Sequence, residues 1–197
     1  MDMHRIKNVS FIGMAGCGKS TIGKALSKNL GINFTDTDLL IEERFKASLE
    51  QIKKDNGYKF VRRAEEEVIL SLDKHIKIIS TGGSAVYSEK SMSHLSSFSK
   101  IIYINTPLDE IKNRIGQGQQ RGLAAPEGLS IDEIYQEREP LYKKWADTTL
   151  DGKDSVEKLL SNGDKVTVLD LFLYGENVLP NHNNLIKIKG DIRDEKI

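Results

Sequence analysis

Apolar residues recur along this chain in two alternating periods. Val9, Phe11 and Ile12 form a short apolar run that predicts a buried strand. Ile22, Ala25, Leu26 and Leu30 follow at helical spacing, with Gly31 placed to end the helix. Ile32 to Thr35 predicts a second strand, and Leu39 to Phe45 a helix. Ser48 begins another helix, with Glu50 and Gln51 suited to its first turn, and Gly57 interrupts it. Val61, Ala64, Val68 and Leu72 then mark one face of a longer helix, with Arg62, Arg63, Glu65, Glu66 and Glu67 on and around it. Lys77 to Ser80 predicts a strand leading into the turn Thr81-Gly82-Gly83-Ser84. The clearest strand is Lys100 to Asn105, whose nearly continuous apolar run suits a sheet covered on both faces.

Thr106-Pro107-Leu108-Asp109 reads as a helix start, with an N-cap, a proline at the first position and a carboxylate at the third. Gln117 to Gly128 is rich in Gly, Gln and Ala without an apolar period, and is expected to be a mobile loop. Ser130 with Glu133 forms a capping box for a helix running toward Ala146. Thr148 to Leu150 is a last short strand, and Asp154 with Glu157 opens a final helix through Leu160. Strands alternating with helices imply an α/β fold, a parallel sheet with helices on both faces. Ligands of such sheets bind outside the carboxyl ends of the strands. Residues 1–163 are expected to form this domain. Residues 164–197 form a C-terminal extension, expected to be partly ordered or disordered, that ends in the mostly charged Lys187 to Ile197.

Composition narrows the setting. Lys plus Arg and Asp plus Glu both total 29, so no global field points to nucleic acid or an anionic membrane. A single cysteine excludes an internal disulfide and suits a reducing compartment. No apolar run approaches the ~20 residues of a membrane span, and Met1 to Asn8 lacks the apolar core of a signal peptide. The expected location is the cytoplasm.

The most informative chemistry lies between the first strand and helix. Gly13-Met14-Ala15-Gly16-Cys17-Gly18-Lys19-Ser20, followed by Thr21, fits the P-loop pattern. The glycines let the backbone curl so that its N–H groups point at an anion, and the helix start adds partial positive charge. Lys19 reaches the β- and γ-phosphates in such a loop, and the Ser20 hydroxyl binds Mg²⁺. Cys17 reads as a small filler in this loop. Asp36 and Asp38 lie two apart at a strand end, and an extended chain there would start both side chains on the same side. A phosphotransferase needs one carboxylate near Mg²⁺ and another near the acceptor hydroxyl. By itself, Asp38 also reads as the cap of the helix beginning at Leu39. Arg62 and Arg138 are candidate anion clamps, because a guanidinium pairs with a carboxylate through two hydrogen bonds. The Gly82-Gly83 backbone gives a ligand close access. Arg121, in the predicted loop, could swing over a transferring phosphoryl group. His4, His75, His94 and His182 share no metal-like spacing, and Tyr142 and Trp145 read as packing residues.

Taken together, these residues resemble the shikimate kinase family from about Lys7 to Asp151. The matching motifs are Gly13 to Thr21, Asp36-Thr37-Asp38, Gly57 with Val61-Arg62-Arg63-Ala64-Glu65, Ser80-Thr81-Gly82-Gly83, Arg121, and Arg138-Glu139-Pro140-Leu141-Tyr142 with Ala146. The resemblance implies a nucleoside-monophosphate-kinase-like, three-layer fold with a five-stranded parallel sheet and a mobile lid. It implies transfer of the ATP γ-phosphate to the 3-hydroxyl of shikimate by a monomer that uses Mg²⁺. In that pattern Gly13, Ala15, Gly16, Cys17, Gly18, Lys19, Ser20 and Thr21 bind ATP, with Arg114 against adenine and Arg121 closing over the phosphates. Ser20 and Asp36 serve the metal, and Asp38 is the base. Arg62 and Arg138 clamp the acceptor carboxylate, with Gly82 and Gly83 beside the ring.

The chain departs from the family pattern at four positions: Ser84 replaces a third glycine, Tyr58 a glutamate, Val61 a phenylalanine and Gly122 a proline. A same-fold kinase for homoserine or gluconate, and a non-catalytic nucleotide-binding regulator, stay open as alternatives at this point.

Overall fold

The computed structural model describes residues 8–116 and 123–153. Arg121, Gly122, the helix expected over 154–160 and the extension over 164–197 lie outside the described residues. Five strands form one parallel sheet: β1 (Asn8–Ile12), β2 (Phe34–Asp36), β3 (Ile78–Ser80), β4 (Ser99–Asn105) and β5 (Thr148–Asp151). Their order is β2-β3-β1-β4-β5. β1 is central, pairing Val9 with Ile78 on one side and Asn8 with Ser99 on the other. The chain leaves β1 for one half of the sheet and returns later to build the other. β1 is therefore the switch point, where a crevice opens at the carboxyl ends. All five of its residues are buried, as its apolar run requires.

Helices α1 (Lys19–Leu30), α2 (Thr37–Phe45), α3 (Leu49–Asn56), α4 (Tyr58–Ser71), α5 (Glu89–Phe98), α6 (Leu108–Gly116) and α7 (Ile131–Trp145) connect and cover the strands. The main core joins β1, β3 and β4 to α1, α5 and α7 through residues such as Phe11, Leu26, Ile79, Leu95, Ile102 and Tyr142. A second apolar cluster, Ile41, Leu49, Ile52, Val61, Ala64, Val68 and Ala124, holds α2, α3 and α4 together beside the sheet. Each fully buried aliphatic there contributes roughly 1.5–3 kcal/mol, so this side unit has its own cohesion. No described helix is long and apolar enough to cross a membrane.

Among the described residues, every strand and every α-helix but one corresponds to an element expected from the sequence. Helix α5 was assigned no element, because its serines mask a weak apolar repeat. Ser88 accepts from the Ser91 amide as its N-cap, and Met92 and Leu95 are fully buried. Helix α2 begins at Thr37 rather than Leu39, and Asp36, not Asp38, caps it, accepting from the Asp38 amide at 3.0 Å. The two carboxylates therefore do not leave one extended strand: Asp36 ends β2 and Asp38 sits in the first helical turn. The Thr106 hydroxyl, just before α6, donates to the Cys17 carbonyl at 2.8 Å. The capping box of Ser130 and Glu133 forms as expected.

Candidate active site

At the end of β1 the chain curls through Gly13 and Gly16 to Gly18, the N-cap of α1, with φ of 143°, 78° and 106°. These are conformations that only glycine adopts cheaply. At Gly13 the space is closed as well, since a Cβ would come within 2.8 Å of both Cys17 Sγ and the Ile104 carbonyl. Lys19 is the first helical residue and is buried; its Nζ donates to the Gly13 and Met14 carbonyls, both at 2.8 Å. Arg114 reaches across from α6, with Nη1 at 3.3 Å from the Gly16 carbonyl and 3.4 Å from that of Cys17. Lys19, Thr106 and Arg114 thus satisfy the carbonyls of the loop, while α1 presents its positive end. Cys17 is buried, in keeping with its reading as filler.

Beside the loop, Ser20 Oγ donates to Asp36 Oδ2 at 2.6 Å and lies 3.2 Å from Ser80 Oγ. This is an all-oxygen set, the donor chemistry that suits a hard cation such as Mg²⁺. Among the described residues no group of three or more His, Cys, Asp or Glu is arranged to hold a metal ion. The oxygens at Ser20 and Asp36 fit a cation that takes its other ligands from phosphate and water.

Across the crevice a second constellation is assembled from four elements. α2 supplies Asp38, α4 supplies Arg62 and Glu65, the turn after β3 supplies Gly82, Gly83 and Ser84, and α7 supplies Arg138. On α7, Ile134, Arg138 and Tyr142 share the buried face at four-residue spacing. Arg138 is 1 % exposed. Its Nη2 donates to the Ala124 carbonyl at 3.0 Å, and Arg62 Nε donates to that same oxygen at 3.0 Å. Two guanidiniums therefore converge on one acceptor oxygen. The Tyr87 ring supports both: it lies 3.7 Å under the Arg62 guanidinium, and its hydroxyl accepts from Arg138 Nε at 3.3 Å. Tyr58, flagged as a departure, stacks on Arg62 from a ring centroid 5.1 Å away. Val61, also flagged, is buried in the side cluster.

The glycines of the turn are needed for space. A Cβ at Gly82 would run into Asp38 Oδ1 and Glu65 Oε1. At Gly83 it would lie 3.0 Å from Arg138 Nη1 and 3.3 Å from the Ala15 amide nitrogen, so the two constellations meet here. The Gly82 N–H is committed, donating to Thr37 Oγ1 at 2.9 Å. Tyr142 does more than pack: its hydroxyl donates to the Gly83 carbonyl at 2.6 Å.

Glu65 ends the motif Val61-Arg62-Arg63-Ala64-Glu65. It is 2 % exposed, accepts a short hydrogen bond from Ser84 Oγ on Oε2, and has no hydrogen-bond partner on Oε1. Burial, reinforced by the Asp38 charge, pushes its carboxyl up to about 7, against the opposing pull of Ser84, Arg138 and Lys19. The sequence did carry a signal for it: four residues after Val61 and three before Val68, Glu65 falls on the apolar face of α4. Burial tends to lower the proton affinity of Arg138, but Tyr142, Tyr87 and Glu65 outweigh it and hold the guanidinium above its ordinary value. Arg138 is therefore charged throughout the physiological range.

Ala15, Asp38, Glu65, Gly82, Ala124 and Arg138 are among the residues lining a cavity of about 30 Å³, large enough to hold a water. Leu123 lines it as well. A cavity of about 990 Å³ lies at the other end of the sheet, where β1 and β4 begin. It holds none of these groups and lies away from the carboxyl ends where parallel sheets bind ligands.

Comparison with known proteins gives a consistent result. A family model described as shikimate kinase matches residues 15–165. A shikimate kinase of Legionella pneumophila (strain Corby) is 33 % identical over 179 residues, covering 89 % of this chain and 99 % of that protein. One from Francisella tularensis subsp. novicida is 32 % identical over 181 residues, covering 90 % and 100 %. Among solved structures, shikimate kinase from Acinetobacter baumannii in complex with shikimate matches with a TM-score of 0.69 at 26 % identity, covering 77 % of this chain and 86 % of that one. The Aquifex aeolicus enzyme matches with a TM-score of 0.63 at 29 % identity, covering 77 % and 89 %.

Proposed function

The chain belongs to the shikimate kinase family, an ATP-dependent kinase fold in sequence and architecture, and from that premise we propose that it phosphorylates the 3-hydroxyl of shikimate. The observation that carries the acceptor is the convergence of Arg62 and Arg138 on the carbonyl oxygen of Ala124, a residue that lines one cavity with Asp38 and Glu65. A carboxylate placed there accepts from both guanidiniums in place of the Ala124 carbonyl, and charge-assisted pairing favours the exchange.

In this reading ATP lies along Gly13 to Thr21, with Arg114 beside adenine and Arg121 over the phosphates. The Lys19 ammonium exchanges the Gly13 and Met14 carbonyls for phosphate oxygens. Ser20 and Asp36 are the residues that would hold Mg²⁺, which would supply charge neutralisation at the phosphates. Asp38 orients the 3-hydroxyl and takes its proton as that oxygen attacks the γ-phosphorus. The bond from the γ-phosphorus to the bridging oxygen breaks, giving shikimate 3-phosphate and ADP. Gly82 and Gly83 let the ring approach. Most of the rate comes from positioning and from cationic groups around the transferring phosphoryl. We read the enzyme as a cytoplasmic monomer whose catalytic unit ends near residue 163.

The direct test is ADP release with shikimate, homoserine and gluconate, with the product identified by ³¹P NMR. Turnover of shikimate to a 3-phosphate is expected. Turnover of another acid while shikimate stays inert would overturn the acceptor assignment, and tight ATP binding with no acceptor phosphorylated would favour a regulator.

A further inference from the structure

Glu65 presents an unusual arrangement: a buried carboxyl with one oxygen held and the other unpartnered. Ser84 Oγ donates to Oε2. Oε1 has no hydrogen-bond partner and lies over Gly82 together with Asp38 Oδ1. A buried acceptor left without a donor is costly, and this one lines the cavity that Asp38 and Arg138 also line. The residue holding Glu65 is Ser84, itself only 5 % exposed and located where the family pattern has glycine. A glycine offers no hydroxyl, so the contact depends on this departure.

We propose that Ser84 is a positioning residue for the acceptor: it holds one oxygen of Glu65 so that the other faces the incoming substrate between Asp38 and Arg138. This rests on the shikimate kinase reading above. The carboxyl would otherwise turn about its terminal torsion, which is broad for glutamate. Two further contacts keep the arrangement in register. Gly82 donates to Thr37 on α2, and Tyr142 on α7 donates to Gly83, so the turn carrying Ser84 is fixed from both sides. Substrate binding then supplies a hydroxyl donor for Oε1, and the ionised carboxylate is the form that accepts it. Glu65 faces Asp38 from α2, Arg138 from α7, Lys19 from α1 and the Ser84 hydroxyl from the turn. The Ser84 hydrogen bond favours the ionised form, and its removal raises the proton affinity of Glu65.

The test compares Ser84→Ala and Ser84→Thr with the unaltered enzyme. Ser84→Ala is expected to raise KM for shikimate roughly tenfold, the loss typical of one charge-assisted hydrogen bond, while KM for ATP moves less than about twofold. The acid limb of kcat/KM for shikimate moves to higher pH, and Ser84→Thr, which keeps the hydroxyl, restores it. A readout independent of turnover is the Glu65 ¹³C carboxyl titration in the ligand-free protein, whose midpoint moves up from about 7 in Ser84→Ala. Unchanged titration and unchanged KM in Ser84→Ala would overturn the proposal, as would an equal rise in both KM values. If the unaltered enzyme ignores shikimate, the kinase reading fails, while the Glu65 titration still decides whether Ser84 controls that carboxyl.

Discussion

The phosphate side of the crevice is made by consecutive residues, Gly13 to Thr21, and its contacts run mostly to backbone carbonyls. The acceptor side draws Asp38, Arg62, Glu65, Ser84 and Arg138 from four separate elements, and its contacts are mostly made by side chains. The first is part of the main core. The second stands against a smaller apolar cluster between α2, α3 and α4. A site built from backbone over a few residues tolerates side-chain change and binds a group common to many substrates. A site built from dispersed side chains can be retuned one residue at a time, and three of the four departures read from the resemblance, Tyr58, Val61 and Ser84, fall there, the fourth being Gly122. Substitutions on the acceptor side should therefore separate the two substrates kinetically.

The largest separation is expected at Asp38. Asp38→Asn keeps the shape but cannot take a proton, and kcat should fall by roughly 10²–10⁴ with ATP affinity nearly intact. Steady-state kinetics with both substrates varied checks this, and near-normal turnover would remove Asp38 as base. Arg138→Ala comes next. It deletes a buried cation that holds the Ala124 carbonyl and Tyr87, a loss of roughly 2–5 kcal/mol for a buried hydrogen-bonded charge. Shikimate KM should rise at least about thirtyfold, and ATP KM should change little. Equal losses for both substrates would erase the distinction between the two sides. Arg62 keeps part of its side chain in solvent, so Arg62→Ala should act in the same direction with about a tenth of the effect.

The smallest effect concerns stability. Glu65 has a folded-state carboxyl raised to about 7 from 4.5. Between those values the native state binds more protons than the unfolded chain, so stability falls as pH rises through the window. The full cost is present above about pH 7, and is at most roughly 3 kcal/mol. Glu65→Gln should flatten that slope and raise Tm at pH 8 by a few degrees, about 2–4 °C per kcal/mol for a chain this size, while weakening shikimate. Thermal melts at pH 5 and pH 8 check the sign: a variant less stable than the parent at pH 8 would contradict it.

The same contrast explains what was legible in the sequence. The loop from Gly13 to Thr21 is contiguous, so a pattern finds it and its flanking strand and helix. The buried strands β1, β3 and β4 read as apolar runs, whereas the edge strands β2 and β5 are short and only partly buried. Asp36 and Asp38 do not share one extended strand, because Asp36 accepts from the Asp38 amide and α2 starts at Thr37, two residues before the expected Leu39. Helix α5 was missed because serine is a weak helix former, and its support is tertiary: Met92 and Leu95 in the core and His94 against the Leu72 carbonyl. The role of Glu65 depends on Ser84, nineteen residues away, and no local period reports such a pair. The joint use of the Ala124 carbonyl by Arg62 and Arg138 is likewise visible only once α4 and α7 face each other.

The central claim is that the acceptor carboxylate binds where two arginines now share a backbone oxygen. A crystal structure with shikimate and ADP tests it most directly. The carboxylate is expected within hydrogen-bond distance of Arg62 and Arg138, with the Ala124 carbonyl displaced from both and a ring hydroxyl at Asp38. Shikimate bound elsewhere, with Arg62 and Arg138 still donating to Ala124, would contradict it.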